Sequence, residues 1–149
     1  MIHKTFCATC IGIDAVTVTV EVDLSAGIGL RLVGLPDIAV RESLLRVTTA
    51  MLSYGFRIPG KKMIVNLAPA DIRKEGSAYD LAIAVGLLAV SEQVYAPRSG
   101  EFLIMGELAL DGHVRPVNGA LPVAVHAKQN GFRGCILPRE SAPEAADID

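Results

Sequence analysis

The first part of the chain alternates apolar and polar residues as a half-buried β-strand does. Valines occupy every second position from 16 to 22, and threonine or glutamate stands between them. A repeat of two places each set on its own face of a strand, one buried and one in solvent. We therefore predict strands over residues 5–11 and 16–22, joined at Gly12. A third strand is predicted over residues 30–33, after a glycine-rich turn.

Beyond these strands the pattern changes to the repeat of an α-helix. Asp37 is a residue type that caps a helix N-terminus, and Gly55 is typical of the position after a helix ends. Glu42 and Arg46 stand one turn apart, which predicts an ion pair on the exposed face. Apolar residues recur at helical spacing between these ends. The predicted buried face consists of Val40, Leu44, Val47 and Met51.

The rest of the chain continues to alternate strand and helix. The predicted elements are a strand over residues 63–67, a helix over 77–90, a hairpin with strands at residues 104–105 and 114 and its turn at Asp111-Gly112, a helix over 119–130 and a strand over 135–137. The full order is β-β-β-α-β-α-β-β-α-β. Such an order predicts an α+β fold, an α/β sandwich in which helices cover a sheet.

The composition is that of one globular domain. The chain has 149 residues, of which 51% are hydrophobic and 20% are charged, and its formal net charge is −2. A chain of this size can bury a core, and its charge gives no general attraction to nucleic acid or anionic lipid. The most apolar stretch, residues 81–90, is about half as long as a membrane span of ~20 residues. We therefore expect a single domain over residues 1–149, in the cytoplasm and without membrane contact.

Cysteine and histidine are too sparse to predict a redox or metal site. Cys7 and Cys10 form a CxxC motif, but their neighbours predict a strand, whereas a redox CxxC needs a helix N-terminus to lower the thiol pKa. The three histidines have no partner at a metal-binding spacing. Glu107 and Asp111 flank the predicted hairpin and are interpreted as solvated charges. We expect no cofactor and no metal in this domain.

One stretch nearly matches a phosphate-binding loop and is interpreted as a turn. Residues 55–62 approach the pattern GxxxxGK[ST], but Lys62 stands where a hydroxyl would bind Mg²⁺. A helix is predicted before the stretch and a strand after it, which is the reverse of the order that brings a helix N-terminus to the phosphates. The region still contributes to the main basic concentration of the chain, a candidate nucleic-acid contact. Its residues are Arg57, Lys61, Lys62, Arg73 and Lys74, in two groups at the two ends of one strand.

Ser77 precedes the strongly apolar helix and is a candidate nucleophile. The alternative is a capping box, because Ser77 and Asp80 stand at the spacing of that motif. In this interpretation the serine hydroxyl accepts from a helix amide, and Asp80 reaches back while complementing the helix dipole. We favour the capping box.

Three longer stretches resemble the N-terminal domain of the magnesium-chelatase-like AAA+ ATPases, the ComM/YifB family. They are residues 33–37 (VGLPD) with 41–43 (RES), residues 66–71 (NLAPAD) with 74–81 (KEGSAYDL), and residues 105–108 (MGEL) with 118–122 (NGALP). Together they run through essentially the whole chain. The resemblance implies a fold like ribosomal protein S5 domain 2, which is shared with the proteolytic domain of Lon protease.

The resemblance also implies what accompanies this domain. In the family it precedes an AAA+ ATPase module on the same chain, which uses ATP and Mg²⁺ and is absent from these 149 residues. The parent proteins are implied to form homo-hexameric rings, and ComM-type members are linked to DNA uptake as helicase-like, branch-migration motors. The domain is then expected to serve ring assembly, or to guide DNA or a protein partner to the motor.

The Lon relationship implies where a peptidase would carry its reactive pair. Lon-type peptidases use a serine that is activated by a lysine. Matching their serine-containing run to this sequence puts Ala78 at the nucleophile, one residue past Ser77. Matching their lysine-containing run puts Leu121 at the lysine, and Lys128 lies roughly 10 Å farther along the helix. The resemblance thus implies a pseudo-peptidase without catalytic residues.

Three other interpretations stay open. A residual Ser-Lys peptidase would use Ser77. A nucleic-acid-binding module would use the basic residues named above. A porphyrin metallation subunit, which the chelatase name suggests, would need metal or porphyrin ligands that the sequence does not offer.

Overall fold

Strands and helices alternate along residues 1–148, the part of the chain that the computed structural model describes. The strands are β1 (Ile2–Ile11), β2 (Asp14–Ser25), β3 (Gly29–Val33), β4 (Lys62–Ala68), β5 (Phe102–Ile104), β6 (Glu107–Leu108), β7 (Val114–Arg115) and β8 (Gly134–Ile136). The helices are α1 (Ile38–Arg41), α2 (Ser43–Ser53), α3 (Asp80–Val90) and α4 (Ala120–Gln129). None of these helices is both long and apolar enough to cross a bilayer.

Six strands form one mixed sheet in the order β3-β4-β2-β1-β5-β8. Its centre is the long hairpin β1–β2, which turns at Gly12 with a φ of 65°. A type II′ hairpin turn needs a positive φ at this position, which glycine adopts without strain. β4 runs antiparallel to β2, whereas β3, β5 and β8 are parallel to the strands they join. A second, two-stranded sheet is the antiparallel hairpin β6–β7.

Helices cover both faces of the central hairpin. On one face the buried valines of β2 lie under α3, and the Thr5 hydroxyl donates to the Ala82 carbonyl at 2.9 Å. On the other face α4 crosses β2, and Thr17 Oγ1 lies 2.7 Å from His126 Nε2. The predicted α+β sandwich is confirmed; its likeness to ribosomal protein S5 domain 2 stays a prediction.

The first helical region has its predicted ends but is divided. Asp37 Oδ1 accepts from the Val40 amide at 2.8 Å, and the chain leaves α2 through Gly55, whose φ is 80°. Glu42 separates the region into α1 and α2. The predicted apolar face is buried against the core, as the 3.6-residue repeat requires. Its members are Val40, Leu44, Val47 and Met51.

Two other elements differ from their predictions. A hairpin with the predicted turn exists as β6–β7, with the Ala109 amide donating to the His113 carbonyl at 2.9 Å, but its first strand is Glu107–Leu108 instead of residues 104–105, and it forms its own sheet. The strand before it, β5, pairs with β1 in the main sheet instead. The helix that was expected from residue 77 begins at Asp80.

A close backbone contact fixes the corner where the chain leaves β3. Gly34 has a φ of 113°, and a Cβ there would lie 2.1 Å from the carbonyl oxygen of Leu67. Any other residue would therefore collide with the backbone of β4, in addition to adopting a strained φ. The contact sets the path of the segment that follows, which borders the candidate site.

A buried carboxylate joins α2, α3 and the β6–β7 hairpin. Asp80 is fully buried and accepts from Ser43 Oγ at 2.6 Å, from Arg46 Nε at 2.6 Å and Nη2 at 3.0 Å, and from the Leu108 amide at 3.0 Å. The hydrogen bond to Asp80 raises the pKa of Arg46, so the guanidinium keeps its charge. A buried charge is tolerated when it is paired and hydrogen-bonded. These contacts satisfy both oxygens of Asp80.

This network corrects two predictions. Arg46 turns inward to Asp80 instead of pairing with Glu42 on the exposed face. The predicted capping box is also wrong, because the N-cap residue of α3 is Tyr79, without a side-chain cap, and Asp80 does not reach back to Ser77. Both predictions rested on local spacing, whereas the partners of Asp80 lie 28 to 37 residues away.

We predict that Asp80→Asn strongly destabilises the domain. The substitution removes the buried negative charge and leaves Arg46 with only 19% of its side chain exposed and no counter-ion. Breaking a buried pair on one side costs about 3–5 kcal/mol. Urea unfolding followed by circular dichroism measures the difference. The matched control is Glu101→Gln, because Arg98 and Glu101 also approach to 2.6 Å but are 58% and 42% exposed. That change should cost no more than about 1 kcal/mol, and equal effects of the two substitutions would contradict the prediction.

Candidate functional site

An open groove of about 790 Å³ lies where β1 ends and α3 begins. One wall is the end of β1 (residues 8–11), the opposite wall is the loop before α3 (residues 75–79), and residues 116–118 close one side. Asp37 and Arg73 also line it. The volume is in the range of sites that bind small molecules or short chain segments. We call this cavity the β1–α3 groove.

The loop that forms one wall is held by the segment that follows Gly34. The Lys74 amide donates to the Leu35 carbonyl at 3.1 Å, and the Asp37 amide donates to the Lys74 carbonyl at 2.9 Å. Asp37 Oδ2 accepts from the Gly76 amide at 3.1 Å, while its other oxygen caps α1. A single carboxylate therefore fixes both the start of α1 and the wall of the groove.

Lys74 points into the protein rather than toward solvent. Its side chain is buried, and its ammonium group donates to the Pro69 carbonyl. Desolvation by burial lowers the pKa of this amine, and the nearby charge of Asp71 acts in the opposite direction. This placement corrects the expectation that Lys74 is a surface cation for nucleic acid, since its amine is already engaged inside the fold.

The other basic residues lie in two separate places. Arg57 and Lys61 are exposed and Lys62 is half-buried, all of them before or at the start of β4. Arg73 lies past the other end of β4, and its Nε is 3.4 Å from Glu75 Oε1. A strand of seven residues spans roughly 20 Å, so the two groups form no single patch. Residues 55–62 run from a helix into a strand, in the inverted order that the sequence indicated.

Ser77 and Ala78 both line the β1–α3 groove and are half-buried. The Ser77 carbonyl accepts from the Asp80 amide at 3.3 Å, and the Ala78 carbonyl accepts from the Gly106 amide at 3.0 Å. Within residues 1–148 no lysine amine contacts the Ser77 hydroxyl, and the nearest lysine in sequence is bonded elsewhere. The position that corresponds to the Lon nucleophile thus presents a methyl group to the groove.

The position that corresponds to the Lon lysine lies in a different cavity. Leu121 is 45% exposed and lines a pocket between the β1–β2 turn and α4, together with Ile13 and Val125. Lys128, the lysine of the same helix, lines a third cavity between α4 and β8. The structure therefore does not bring Ala78, Leu121 and Lys128 to one site.

The cysteines and acidic residues do not assemble a redox or metal centre. Cys7 and Cys10 are three residues apart in β1, so their side chains lie on opposite faces of the sheet. Burial raises the pKa of Cys7 from 9.0 to about 12, whereas Cys10 is exposed beside the groove. Asp111 accepts from the His113 amide at 3.0 Å in the hairpin turn. Among residues 1–148, no three His, Cys, Asp or Glu side chains come together.

Sequence reasoning missed two residues that shape the groove. Tyr79 is 1% exposed, and its burial raises the pKa of the hydroxyl to about 12, beside the Thr9 side chain and the Glu75 backbone. Asp37 was predicted as a helix cap, but not as the acceptor for Gly76. Tyr79 could have been identified because it is an aromatic residue among small and polar residues. Nothing in the sequence near Asp37 indicated that its carboxylate also accepts from the Gly76 amide.

The comparisons with known proteins agree on one family. The family model for subunit ChlI of Mg-chelatase matches residues 20–141. The uncharacterized protein YifB of Escherichia coli is 44% identical over 140 residues, which are 93% of this chain and 28% of that protein. Competence protein ComM of Haemophilus influenzae is 45% identical over 136 residues, 91% of this chain and 26% of that protein. Lon protease 2 of Bacillus subtilis is 27% identical over 101 residues, 68% of this chain and 18% of that protein.

Most of the groove, but not its β1 wall, lies within the residues that the family model matches. The segment after Gly34, the loop before α3 and the start of α4 all lie within the residues that the family model matches. The chain spans about a quarter of the length of the YifB and ComM relatives, at 28% and 26%. The chain belongs to the family of the magnesium-chelatase subunit ChlI, together with YifB and ComM.

Proposed function

We propose that this chain is a non-catalytic domain of a magnesium-chelatase-like AAA+ ATPase. Its role is ring assembly, or the handling of DNA or a protein substrate for an ATP-driven, helicase-like motor in the cytoplasm. In this proposal the ATPase module follows on the same parent chain, uses ATP and Mg²⁺, and assembles as a homo-hexamer. A competence protein among the relatives supports a role with DNA.

One observation carries the non-catalytic part of the proposal: within residues 1–148 no lysine amine meets the Ser77 hydroxyl, and the positions that correspond to the Lon dyad hold Ala78 and Leu121. A general base must lie within about 3 Å of the hydroxyl that it activates. Ser77 and Ala78 line the β1–α3 groove, Leu121 lines the pocket beside the β1–β2 turn, and Lys128 lines a third cavity. The amine of Lys74 donates a hydrogen bond to the Pro69 carbonyl. A leucine cannot accept a proton, and a methyl group cannot attack a carbonyl.

We predict that Ser77 is unreactive toward a fluorophosphonate probe. Without a base beside its hydroxyl, the serine has no activation beyond that of an ordinary surface serine. Intact-mass spectrometry of the treated chain should show no adduct, and incubation with unstructured β-casein should give no fragments. The Ser77→Ala variant serves as the blank. An adduct that appears on the unaltered chain and disappears from Ser77→Ala would restore the peptidase interpretation.

Exposed apolar side chains on α2 support the assembly role. Leu45 is 69% exposed and Leu52 is 59% exposed. Because they are seven residues apart, they lie on the same side of the helix. Tyr54, which follows α2, is 66% exposed. Neighbouring apolar groups in solvent are typical of a surface that another protein covers.

We predict that Leu45→Gln with Leu52→Gln weakens ring formation of the full-length parent. Each exposed leucine that becomes buried on assembly contributes on the order of 1.5–3 kcal/mol, so the dissociation constant should rise at least about tenfold. Sedimentation velocity in the presence of ATP measures the assembled fraction. The control is Ile13→Gln with Leu121→Gln, which changes two exposed apolar residues elsewhere. Rings that survive the first pair of changes, or that are lost equally with the control pair, would contradict an interface at α2.

Nucleic-acid binding by the domain itself is a second candidate function. The observation that favours it is the group formed by Arg57, Lys61 and Lys62, which make no ion pair within residues 1–148 and lie close together in sequence. Arg73 is less suited, because Glu75 lies beside it. Three cations can support only weak and non-specific contact with phosphates.

We predict that any DNA binding by this chain shows a shallow salt dependence. Three phosphate contacts give a slope of log K against log salt no steeper than about −2.7 for duplex DNA. Fluorescence anisotropy of a labelled duplex across a salt series measures the slope. Arg57→Gln with Lys61→Gln and Lys62→Gln should abolish the binding. The control with the same change in charge is Lys128→Gln with Arg133→Gln and Arg139→Gln, all exposed elsewhere. If both variants lose DNA affinity equally, or if the first variant leaves the salt slope unchanged, nucleic-acid binding through Arg57, Lys61 and Lys62 is rejected.

A further inference from the structure

The edge of β1 is unpaired where it forms the wall of the β1–α3 groove. The amino group of Met1 donates to the Leu24 carbonyl at 3.0 Å, and the Leu24 amide donates back to the Met1 carbonyl at 2.9 Å. Met1 and Leu24 are therefore a hydrogen-bonded pair, and in an antiparallel hairpin such pairs recur at every second residue. This pair thus determines which residues of β1 direct their backbone groups toward β2. The backbone groups of Ala8 and Cys10 therefore point away from β2.

β5, the neighbour of β1 on the side away from β2, ends its pairing with β1 before it reaches Ala8 and Cys10. β5 pairs with β1 at Phe6 and Leu103, so a continued parallel ladder would bring the Gly106 amide to the Ala8 carbonyl. The Gly106 amide instead donates to the Ala78 carbonyl at 3.0 Å. The carbonyl of Ala8 and both backbone groups of Cys10 consequently face the groove without a strand beside them.

We propose that the β1–α3 groove binds an extended polypeptide segment, which adds to the open edge of β1 as one more strand. This inference rests on the proposed function and specifies it, since it makes a polypeptide the substrate class that the domain handles. Main-chain hydrogen bonds to Ala8 and Cys10 supply the attachment, as in other cases of strand addition. The two sets of side chains of the added strand point to opposite sides of it.

The other walls of the groove fit an added strand better than a nucleic acid. Among the described residues that line the groove, Asp37 and Glu75 contribute two carboxylates, and the one cation is Arg73, whose Nε lies 3.4 Å from Glu75 Oε1. This balance disfavours phosphates. Ala78 presents only a methyl group on the opposite wall, where a larger side chain would project into the groove, and Val117 adds an apolar contact. A peptide with alternating apolar and basic residues matches these walls.

The test uses the unaltered 149-residue chain and an acetylated, amidated hexapeptide of alternating valine and lysine. Binding is measured by isothermal titration calorimetry, and hydrogen exchange of the Cys10 amide is measured by NMR. We expect the peptide to bind and to slow exchange at Cys10. Two further peptides carry N-methyl groups on the valines or on the lysines. Because only one set of amides faces β1, one of them should bind at least about tenfold more weakly than the other.

A pair of variants places the peptide in the groove. Ala78→Met should weaken binding at least about tenfold, whereas Ala70→Met, the same change at an exposed position outside the groove, should leave it unchanged. The comparison of N-methylated peptides needs no variant, so it decides the question even if Ala78→Met fails to fold. Equal binding of both N-methylated peptides, absence of binding, or protection of Cys10 by a DNA oligonucleotide instead of the peptide would each overturn the proposal.

The two proposals fail in different ways in this experiment. If the peptide binds and is cleaved, which mass spectrometry of the mixture reveals, strand addition stands and the non-catalytic assignment falls. If the peptide neither binds nor is cleaved, the non-catalytic assignment stands and strand addition falls.

Discussion

The structure depends on one carboxylate that has no access to water. Asp80 begins α3, receives two hydrogen bonds from the Arg46 guanidinium, and also holds Ser43 of α2 and the Leu108 amide of the β6–β7 hairpin. Two separate elements, α2 and the β6–β7 hairpin, are thereby set relative to α3. The loop of residues 75–79, which forms one wall of the groove, directly precedes Asp80 in the chain. The position of α3 therefore also determines where this wall lies. Loss of either partner of such a pair is costly, because the other charge is then buried without compensation.

The groove combines a well-fixed backbone with little reactive chemistry. Main-chain hydrogen bonds of Asp37 and Lys74 hold the loop before α3, and the Gly76 amide donates a hydrogen bond to the Asp37 carboxylate. In a peptidase such rigidity would orient a nucleophile, yet here the corresponding residue is Ala78. The proposed strand addition uses the same rigidity differently, since a fixed wall opposite β1 loses little conformational entropy when a segment binds against it. A rigid groove of this kind can thus serve recognition without reactive groups.

The sequence predicted those parts of the fold that depend on near neighbours. The alternation of valines in β2, the cap at Asp37 and the apolar face of α2 each arise within a few residues, and each is present. Predictions failed where a distant partner competed with a local one. Arg46 had a carboxylate one turn away and still turned to Asp80, because a buried carboxylate without a partner is far more costly than an exposed one.

The candidate site was predictable only in outline. The resemblance to Lon drew attention to Ala78, which lines the groove beside α3, but spacing along α4 gave no sign that Leu121 and Lys128 line two other cavities. Lys74 looked like a surface cation, since sequence alone does not show that its amine meets a backbone carbonyl inside the fold. The open edge of β1 could not be predicted from the sequence either, because it results from where the pairing of β5 with β1 ends.

Gly34 shows how such a domain should be interpreted when related chains are aligned. A side-chain carbon at this position would lie 2.1 Å from the Leu67 carbonyl oxygen, so selection for folding alone suffices to keep glycine there. The residue belongs to a motif that borders the groove, and its retention in a relative would ordinarily be taken as a mark of preserved activity. Here that retention carries no such information, and any inference about activity in a related chain has to be drawn from positions 78 and 121, which the resemblance to Lon identifies as those of the reactive pair.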